Sequence, residues 1–530
     1  MSGIKKKFAV VLVLVLALAL ILFNSLSGKV DRQGKTASLY KLCKVWGYAK
    51  YVHPAFYDEK NWDKEFIPLA IKVRDAGSEE EVNKLLNEWV VFLGEAEEKR
   101  ENVPEWINAE FLGEELSQNL KKLGLSENNL SGKGPVFYKN GLPSFAHERE
   151  YDWNAMKVSD NNWRLLGLFR IWNAIEYYCP YIDESWDDAL LKAIPDMLTE
   201  KEGGKGKSRP ELFASYYRVL SEMVSHLDDP VSSIMLTDYF YKQEMGGNAL
   251  PAVIQKEGDS FIIKKVLEPD RPIKKGDVIL KLDGKTIPEI LEERRPYIGF
   301  KDDFSNVEKY LPILLSTNNL YYEAEILREG ETLDLSIKSK EYVYLDFTLE
   351  EESRENISCI NAKNADPVSL KNAVTDTSKD GLIIDLRQGM SDSFGNILSY
   401  FDDCDRTYQL LTFKEGEPGE FKVVSVSYDT IPSNFKYKKP TCVLIDRNTA
   451  GEAELLAYIM SKNLQFTLVG EKSAGDAGAY ANMRVPGGSW VSFKGSRFLD
   501  YDGSEIVPIE PHIICNRDDA FREAVAFIEN

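Results

Sequence analysis

Continuous apolar runs on either side of a helical pattern mark the stretch 440–475, PTCVLIDRNTAGEAELLAYIMSKNLQFTLVGEKSAG. The pattern predicts a buried strand over 442–445, a helix that ends near residue 462, and a second buried strand over 466–469. Fully apolar strands around a helix are typical of a strand–helix–strand unit in a parallel sheet. The tight turn 448–451 is the kind of position that lifts a nucleophile clear of a sheet, beside the free amides of a helix start.

The N-terminal part has helical periodicity. Residues 36–100 are predicted to be helical; the run 39–53 places its apolar side chains on one face, and Pro54 ends this first helix. A second amphipathic helix follows Ser78, which is a plausible N-cap. The order Trp, Tyr, Pro, Trp-Asp occurs first over 46–63 and again over 172–187, which indicates a duplicated helical unit. Large aromatics at helical spacing are usually core, so we interpret these side chains as packing residues.

After residue 245 the hydrophobic pattern changes from helical periodicity to alternation. Residues 246–340 alternate short apolar and polar runs with a Gly-Asp and an Asp-Gly turn, which favours a small β-rich domain. The sequence therefore predicts a multidomain α/β protein. The predicted divisions are a leader at 1–28, helical unit 1 at 36–125, a loop-rich connector at 126–160, helical unit 2 at 161–245, the β-rich domain at 246–340 and an α/β core at 341–530.

Residues 8–23, FAVVLVLVLALALILF, follow three lysines and predict a secretory signal sequence. The run is near the lower limit for a membrane span, so an N-terminal membrane anchor is the alternative. Either interpretation predicts an exported protein, secreted or anchored at the cell envelope.

The composition limits the classes of partner and cofactor that the protein is expected to bind. A formal charge of −20 argues against nucleic acid and anionic membrane surfaces. The four histidines have no metal-binding spacing, and nothing in the sequence indicates a metal or an organic cofactor. The six cysteines contain no Cys-x-x-Cys pair and do not reveal a disulfide pattern.

Several patterns of this sequence resemble those of the tail-specific, or C-terminal processing, serine protease family and its tricorn-like branch. They are the strand–turn–helix of 440–475, the run DGLIIDLR at 380–387, the run DGSEIVPIEPH at 502–512, and the PDZ-like run IKKGDVILKLDGK at 273–285. The resemblance implies a polypeptide substrate or peptide ligand. It also implies that a PDZ groove holds a peptide's C-terminal carboxylate on backbone amides. The corresponding loop here is Gly246, Gly247, Asn248, Ala249 and Leu250, followed by Pro251.

The resemblance places the catalytic nucleophile at Gly451, the general base at Val231 and the orienting glutamate at Glu505. Neither glycine nor valine can perform the expected chemistry. In the Ser–Lys branch of the family, the lysine position corresponds to Asp476 here. Backbone amides at Ser391 and Glu452 are the candidate oxyanion donors.

Substitute catalysts are Thr449, Ser473 beside Lys472, and His226. The plainer interpretations are a helix cap for Thr449, a polar turn residue for Ser473 and a partly buried helix residue for His226. Three functions follow from these patterns. They are a serine-type peptidase with non-standard catalysis, a peptide-binding pseudo-protease scaffold of the cell envelope, and a purely structural envelope protein.

Overall fold

A computed structural model describes residues 33–57, 62–94, 102–124, 134–139, 141–198, 207–227, 229, 232–236, 238–298, 307–345, 352–391, 393–401, 404–415, 417–476, 478–506 and 508–530. The predicted leader at 1–28 and the predicted base Val231 lie outside these residues. Among the described residues, no helix is both long and apolar enough to cross a bilayer.

The helices in chain order are α1 (33–52), α2 (Trp62–Asp75), α3 (Glu79–Phe92), α4 (Ala109–Leu112), α5 (Glu114–Leu120), α6 (Asn161–Tyr178), α7 (Ser185–Met197), α8 (Arg209–Val224), α9 (Asp238–Glu244), α10 (Ile287–Arg294), α11 (Leu311–Leu314), α12 (Pro367–Thr375), α13 (Glu452–Ser461) and α14 (Ala520–Glu529).

The strands are β1 (Phe137–Lys139), β2 (Leu142–Ser144), β3 (Ser233–Met235), β4 (Asn248–Ala249), β5 (Ala252–Glu257), β6 (Ser260–Val266), β7 (Val278–Leu282), β8 (Tyr321–Arg328), β9 (Glu331–Lys338), β10 (Lys340–Glu341), β11 (Ile357–Asn361), β12 (Gly381–Asp385), β13 (Thr407–Lys414), β14 (Glu417–Ser427), β15 (Thr441–Ile445), β16 (Phe466–Gly470), β17 (Tyr480–Arg484), β18 (Trp490–Lys494), β19 (Ser496–Leu499) and β20 (Ile513–Ile514).

The two helical units are interlocked. A Cβ on Gly47 of α1 would lie 1.8 Å from Asn173 Oδ1 of α6, so these helices cross where only glycine fits. Arg170 of α6 forms a buried ion pair with Asp63 of α2. The indoles of Trp172 and Trp186 stack, and each donates a hydrogen bond to the other's backbone carbonyl. The interpretation of these aromatics as core residues is confirmed, as is Ser78 as the N-cap of α3.

The predicted second helical unit, 161–245, is not wholly helical. Strand β3 lies within it and pairs antiparallel with β18 of the C-terminal core, through Ile234 opposite Val491. The three residues of β3 have little helical signal of their own, but pairing with β18 supplies the backbone hydrogen bonds that they need. The N-terminal half is therefore joined to the core through a shared sheet, β17-β18-β3.

Residues 252–338 form a five-stranded antiparallel sheet in the order β5-β6-β7-β8-β9. The last part contains a parallel sheet in the order β11-β12-β15-β16-β20. Its strands are apolar on both faces, because α12 and α13 cover one face and α14 covers the other. The α/β multidomain class is confirmed, and so is the parallel strand–helix–strand unit β15-α13-β16.

Candidate active site

The turn between β15 and α13 is held by buried polar contacts. Asp446 lies at the end of β15, where burial raises the pKa of its carboxyl to about 6 and the Arg517 guanidinium at 2.9 Å partly offsets that rise. The Thr449 hydroxyl accepts a hydrogen bond from the Asp446 amide at 3.1 Å and donates one to the Leu386 carbonyl at 3.3 Å. The interpretation of Thr449 as a helix cap is therefore wrong, because its hydroxyl closes the turn from inside.

Gly451 is the residue before α13, and its backbone has φ 59° and ψ −129°. A side chain at this φ is strained, whereas glycine adopts it freely. Space alone does not exclude a side chain, because the nearest atom to a Cβ there would be Tyr480 Cε2 at 3.8 Å. The Gly451 amide donates to the Asp476 carbonyl at 3.0 Å. Gly451 thus lies in a sharp strand-to-helix turn, at the position where the resemblance predicts the nucleophile.

A buried ion pair lies beside Gly451. The Lys494 ammonium contacts the Asp476 carboxylate, and only 7% of Lys494 and 1% of Asp476 are exposed. Tyr480 donates its hydroxyl to Asp476 Oδ2 at 2.9 Å. On its other side, the Lys494 ammonium lies 4.6 Å from the ring centre of Tyr181. Burial by itself lowers the pKa of Lys494, but the charges of Asp476 and Asp229 outweigh it and the net pKa is raised.

The helical half contributes a second carboxylate to this cluster. Asp229 accepts hydrogen bonds from the Ser232 amide at 2.8 Å and from the Ser232 hydroxyl. Removal from water raises the pKa of Asp229; Asp476 raises it further and Lys494 lowers it. We call Asp229, Asp476, Tyr480 and Lys494 the buried charge cluster. It holds the lysine as a cation, so this lysine has no free electron pair with which to act as a base.

Ser473 and Lys472, the proposed substitute catalysts, do not meet. The Ser473 hydroxyl donates to Glu454 and accepts from the Ile509 amide at 2.6 Å, whereas Lys472 forms an exposed ion pair with Glu510 at 2.8 Å. Glu454 is fully buried and also accepts from the amides of Gly475 and Asp476 at 2.7 and 2.6 Å. Ser473 therefore anchors the loop after β16, which goes beyond the polar turn residue that the sequence predicts.

His226 does not take part in the buried charge cluster. It is exposed, and its Nδ1 lies 2.8 Å from the Glu222 carbonyl within the same helical segment. The interpretation of His226 as a partly buried helix residue is therefore wrong about its burial, because this ring faces solvent at the end of α8.

The remaining predicted catalytic positions lie around the turn. The Ser391 amide donates to the Ala362 carbonyl at 2.9 Å, so in this conformation it is not an open oxyanion donor, contrary to the expectation for this residue. Glu452 is the exposed first residue of α13. Glu505 pairs with Arg497 at 2.6 Å, and the Arg497 guanidinium lies 4.0 Å from the Tyr181 ring centre. Glu505 therefore reaches the buried charge cluster only through Arg497 and Tyr181.

The predicted peptide-binding loop is paired with its own chain. The Gly246 amide donates to the Lys242 carbonyl at 3.2 Å, and Asn248 exchanges backbone hydrogen bonds with Thr317 at 3.0 and 2.8 Å. Ala249 pairs with β10. Leu250 lines a depression of about 10 Å³ between β5 and α11, together with Ala252, Ile254, Leu311, Pro312 and Leu315. A depression of this volume is too small for a peptide side chain.

Sequence reasoning missed Lys494, Tyr480 and Tyr181. Lys494 ends the run WVSFK, where nothing separates a buried lysine from an ordinary charged strand end. The available signal was Asp476 itself. It corresponds to the lysine of the Ser–Lys branch, and a carboxylate that is buried at such a position requires a cation nearby. Within the described residues, no group of three or more histidine, cysteine, aspartate or glutamate side chains is placed to hold a metal ion.

The chain is similar to several known proteins. Residues 359–515 match the profile of Peptidase family S41. The carboxy-terminal processing protease CtpA of Bacillus subtilis is 23% identical over 302 residues, which span 54% of this chain and 60% of that protein, less than two thirds of its length. A structure of mature CPAF complexed with lactacystin has a TM-score of 0.51 at 15% identity, covering 70% of this chain and 97% of that one. A second structure of mature CPAF has a TM-score of 0.51 at 14% identity, covering 70% and 96%.

The parallel sheet and the turn before α13 lie almost wholly within the residues that match Peptidase family S41. Through this match the chain resembles the tail-specific, C-terminal processing proteases.

Proposed function

We propose that this chain is an exported member of the tail-specific protease family that binds polypeptide C-terminal tails without cleaving them by the family's usual chemistry. One observation carries the proposal: Gly451 lies in the turn before α13, where the resemblance predicts the nucleophile, and the adjoining Lys494 is paired with Asp476 inside the protein. Covalent peptide hydrolysis requires a nucleophile, a base within hydrogen-bond reach and oxyanion donors. The described residues around Gly451 do not assemble the first two.

The substrate class is supported by the relative named as a carboxy-terminal processing protease. The antiparallel sheet of β5 to β9, together with the loop 246–250, supports a PDZ-like module that adds a peptide as an extra strand beside β5. Because the depression between β5 and α11 is narrow, a peptide enters only after α11 moves away from β5. We therefore expect weak binding that is limited by this opening step.

The test combines a binding assay and a turnover assay on the full chain. A fluorescein-labelled apolar hexapeptide with a free C-terminus is titrated by anisotropy against its C-terminally amidated form, and both are followed for cleavage by mass spectrometry. We expect the free-acid peptide to bind at least fivefold more tightly, with no cleavage. Cleavage by the native chain at enzyme-like rates, abolished by Thr449→Val or Ser473→Ala, would overturn the proposal in favour of non-standard catalysis.

Two glycines of the loop provide a matched pair. A Cβ on Gly246, where φ is +100°, would lie 2.1 Å from the Thr317 backbone, whereas one on Gly247 meets only the flexible Lys242 side chain at 3.6 Å. Gly246→Ala should weaken the free-acid peptide at least fivefold by displacing the loop, while Gly247→Ala leaves affinity within twofold. Equal affinities for both variants would refute peptide capture by this loop.

A Gly451→Ser, Val231→His double variant, assayed on casein and on the same peptide, tests the lost-chemistry half of the proposal. Cleavage by the double variant alone would support decay of a working site. Equal cleavage by the native chain and the double variant would refute it.

A further inference from the structure

Strand β14 is an edge strand of its sheet. The sheet has the order β14-β13-β19, so β14 pairs with β13 on one side only. Helix α6 covers the beginning of β14, where a Cβ on Gly419 would lie 3.5 Å from Tyr177 Cδ1. The later part of the strand, 422–427, has no second strand beside it in the described structure. We call the side of 422–427 that faces away from β13 the free edge.

The hydrogen-bond register shows which backbone groups lie along the free edge. The Tyr428 amide donates to the Arg406 carbonyl at 2.9 Å, and these two residues are opposite each other, one rung beyond the end of the ladder. Hydrogen-bonded and non-bonded rungs alternate in an antiparallel pair. The even-numbered residues of 422–427 therefore bond to β13, whereas the odd-numbered residues point their N–H and C=O groups outward. These outward residues are Val423, Ser425 and Ser427, and no described residue hydrogen-bonds to their backbone groups.

The free edge lacks the features that usually protect an exposed strand. Such edges are normally interrupted by charges, prolines or bulges, because an open row of N–H and C=O groups pairs readily with another chain. The run 423–427, VVSVS, has no charged residue and no proline, although 28% of the chain is charged. The bulge of this hairpin lies at the other end, between Phe413 and Lys414. With Val423 51% exposed, the free edge is accessible to another strand.

The free edge leads to the turn before α13. Burial raises the pKa of Tyr428, the residue after β14, and of Tyr408 on β13, and the nearby Glu452 carboxylate raises both further. Glu452 is the first residue of α13 and directly follows Gly451. A chain that pairs with β14 would therefore lie next to the residues that approach Gly451.

We propose that the free edge of β14 binds an extended polypeptide segment, which joins the three-stranded sheet as a fourth strand beside 423–427. The occupant is a polypeptide because the outward groups alternate donor and acceptor at the spacing of a strand backbone, and another extended backbone matches that spacing. The recognition uses main-chain groups and so tolerates many sequences. This inference rests on the proposed function for the source of the segment: it is the part of a bound tail that precedes the C-terminus.

The first experiment compares two peptides on the full chain by fluorescence anisotropy. One is the free-acid hexapeptide used above, and the other is a 14-residue peptide that ends in the same six residues after alternating Ser and Val. We expect the longer peptide to bind at least fivefold more tightly, because the free edge supplies further backbone hydrogen bonds. Equal affinities would overturn the β14 site and leave the proposed function intact. Failure of the hexapeptide to bind would refute the proposed function instead.

Residue-resolved hydrogen exchange of the native chain decides the β14 site whether or not the hexapeptide binds. Saturation with the longer peptide should slow exchange of the outward amides at 423, 425 and 427 at least fivefold. The amides at 422, 424 and 426 already bond to β13 and should slow by less than half that factor. Equal slowing of both sets would show general stabilisation and overturn the proposal. Slowing without peptide as protein concentration rises, with dimers in sedimentation velocity, would assign the free edge to a second copy of the chain and also overturn it.

Ser425 provides the matched variants. Ser425→Pro removes an outward N–H, and an edge strand tolerates proline where that N–H faces solvent. We expect this variant to weaken the longer peptide at least fivefold and the hexapeptide less than twofold, whereas Ser425→Ala keeps the N–H and binds both peptides as the native chain does. Equal losses in the two variants would overturn pairing through the backbone. If Ser425→Pro does not fold, the exchange experiment on the native chain decides alone.

Discussion

Replacing Lys494 by methionine removes the cation from the buried charge cluster and keeps the length of the side chain. Asp476 is 1% exposed and loses its ion-pair partner, and Asp229 loses the charge that lowers its pKa. Two opposite charges about 4 Å apart attract by about 4 kcal/mol at an effective dielectric constant near 20. Breaking a buried pair by removing one partner costs about 3–5 kcal/mol. Because Tyr480 still donates to Asp476, we expect a loss of about 3 kcal/mol for Lys494→Met.

The loss is measured as the shift in the urea midpoint of the C-terminal core, with hydrogen exchange over 476–499 reporting local opening. Lys472→Met is the matched control, because Lys472 pairs with Glu510 at 2.8 Å on the surface, where ion pairs contribute about 0–1 kcal/mol. Adding Asp476→Asn to Lys494→Met should restore more than half of the lost stability, since the uncompensated carboxylate is then gone.

The pH dependence of Lys494→Met has a definite sign. Without the lysine, the folded-state pKa of Asp229 rises further above its unfolded value, so the folded variant binds a proton more readily than the unfolded chain. Stability from such a group is present at low pH and is lost as pH rises through the folded pKa. The deficit of Lys494→Met should therefore be larger at pH 8 than at pH 5. A deficit below about 1 kcal/mol, or one equal to that of Lys472→Met, would refute the cluster as a buried ion pair.

Three further predictions follow from strain and burial. Gly451→Ala should lower the Tm through a loss of about 1–2 kcal/mol, because φ 59° is strained for alanine; an unchanged Tm would contradict the assigned turn. Burial, with the nearby Asp187, raises the pKa of Glu176 to about 7 despite Lys44, so the native chain loses stability as pH rises towards 8. Glu176→Gln should remove about 1–3 kcal/mol of that loss, and parallel Tm–pH curves for both proteins would contradict it. Arg170→Met should cost about 3–5 kcal/mol in the urea midpoint, because Asp63 and Glu148 remain buried; a cost under about 1 kcal/mol would contradict the buried network.

The sequence predicted local elements well where one pattern dominates. The apolar run before the turn became β15, and the stretch after Gly451 became α13 with Lys462 at its C-cap, because hydrophobic periodicity and a glycine turn agree there. The antiparallel sheet at 252–338 likewise follows from alternation and its glycine turns.

The prediction was weaker where distant segments decide the outcome. Strand β3 exists because it pairs with β18, more than 250 residues further along the chain, and no local pattern shows that pairing. Lys494 is buried for the same reason: its cavity is built from Asp476, Tyr181 and Asp229, which come from three separate segments. The sequence predicted the turn at Gly451 but not the ion pair beside it.

The interlocked helical units have a consequence for dissection of this protein. Gly47 and Asn173 touch across the two units, and Arg170 of one pairs with Asp63 of the other, so neither unit presents a finished surface by itself. Asp229 and Tyr181 extend the same dependence to the protease-like core. A chain shortened to residues 246–530 would therefore lose the contacts of Asp229 and Tyr181 with Lys494, beside the Gly451 turn. A fusion that moves this core onto another protein would have to include the helical units as well.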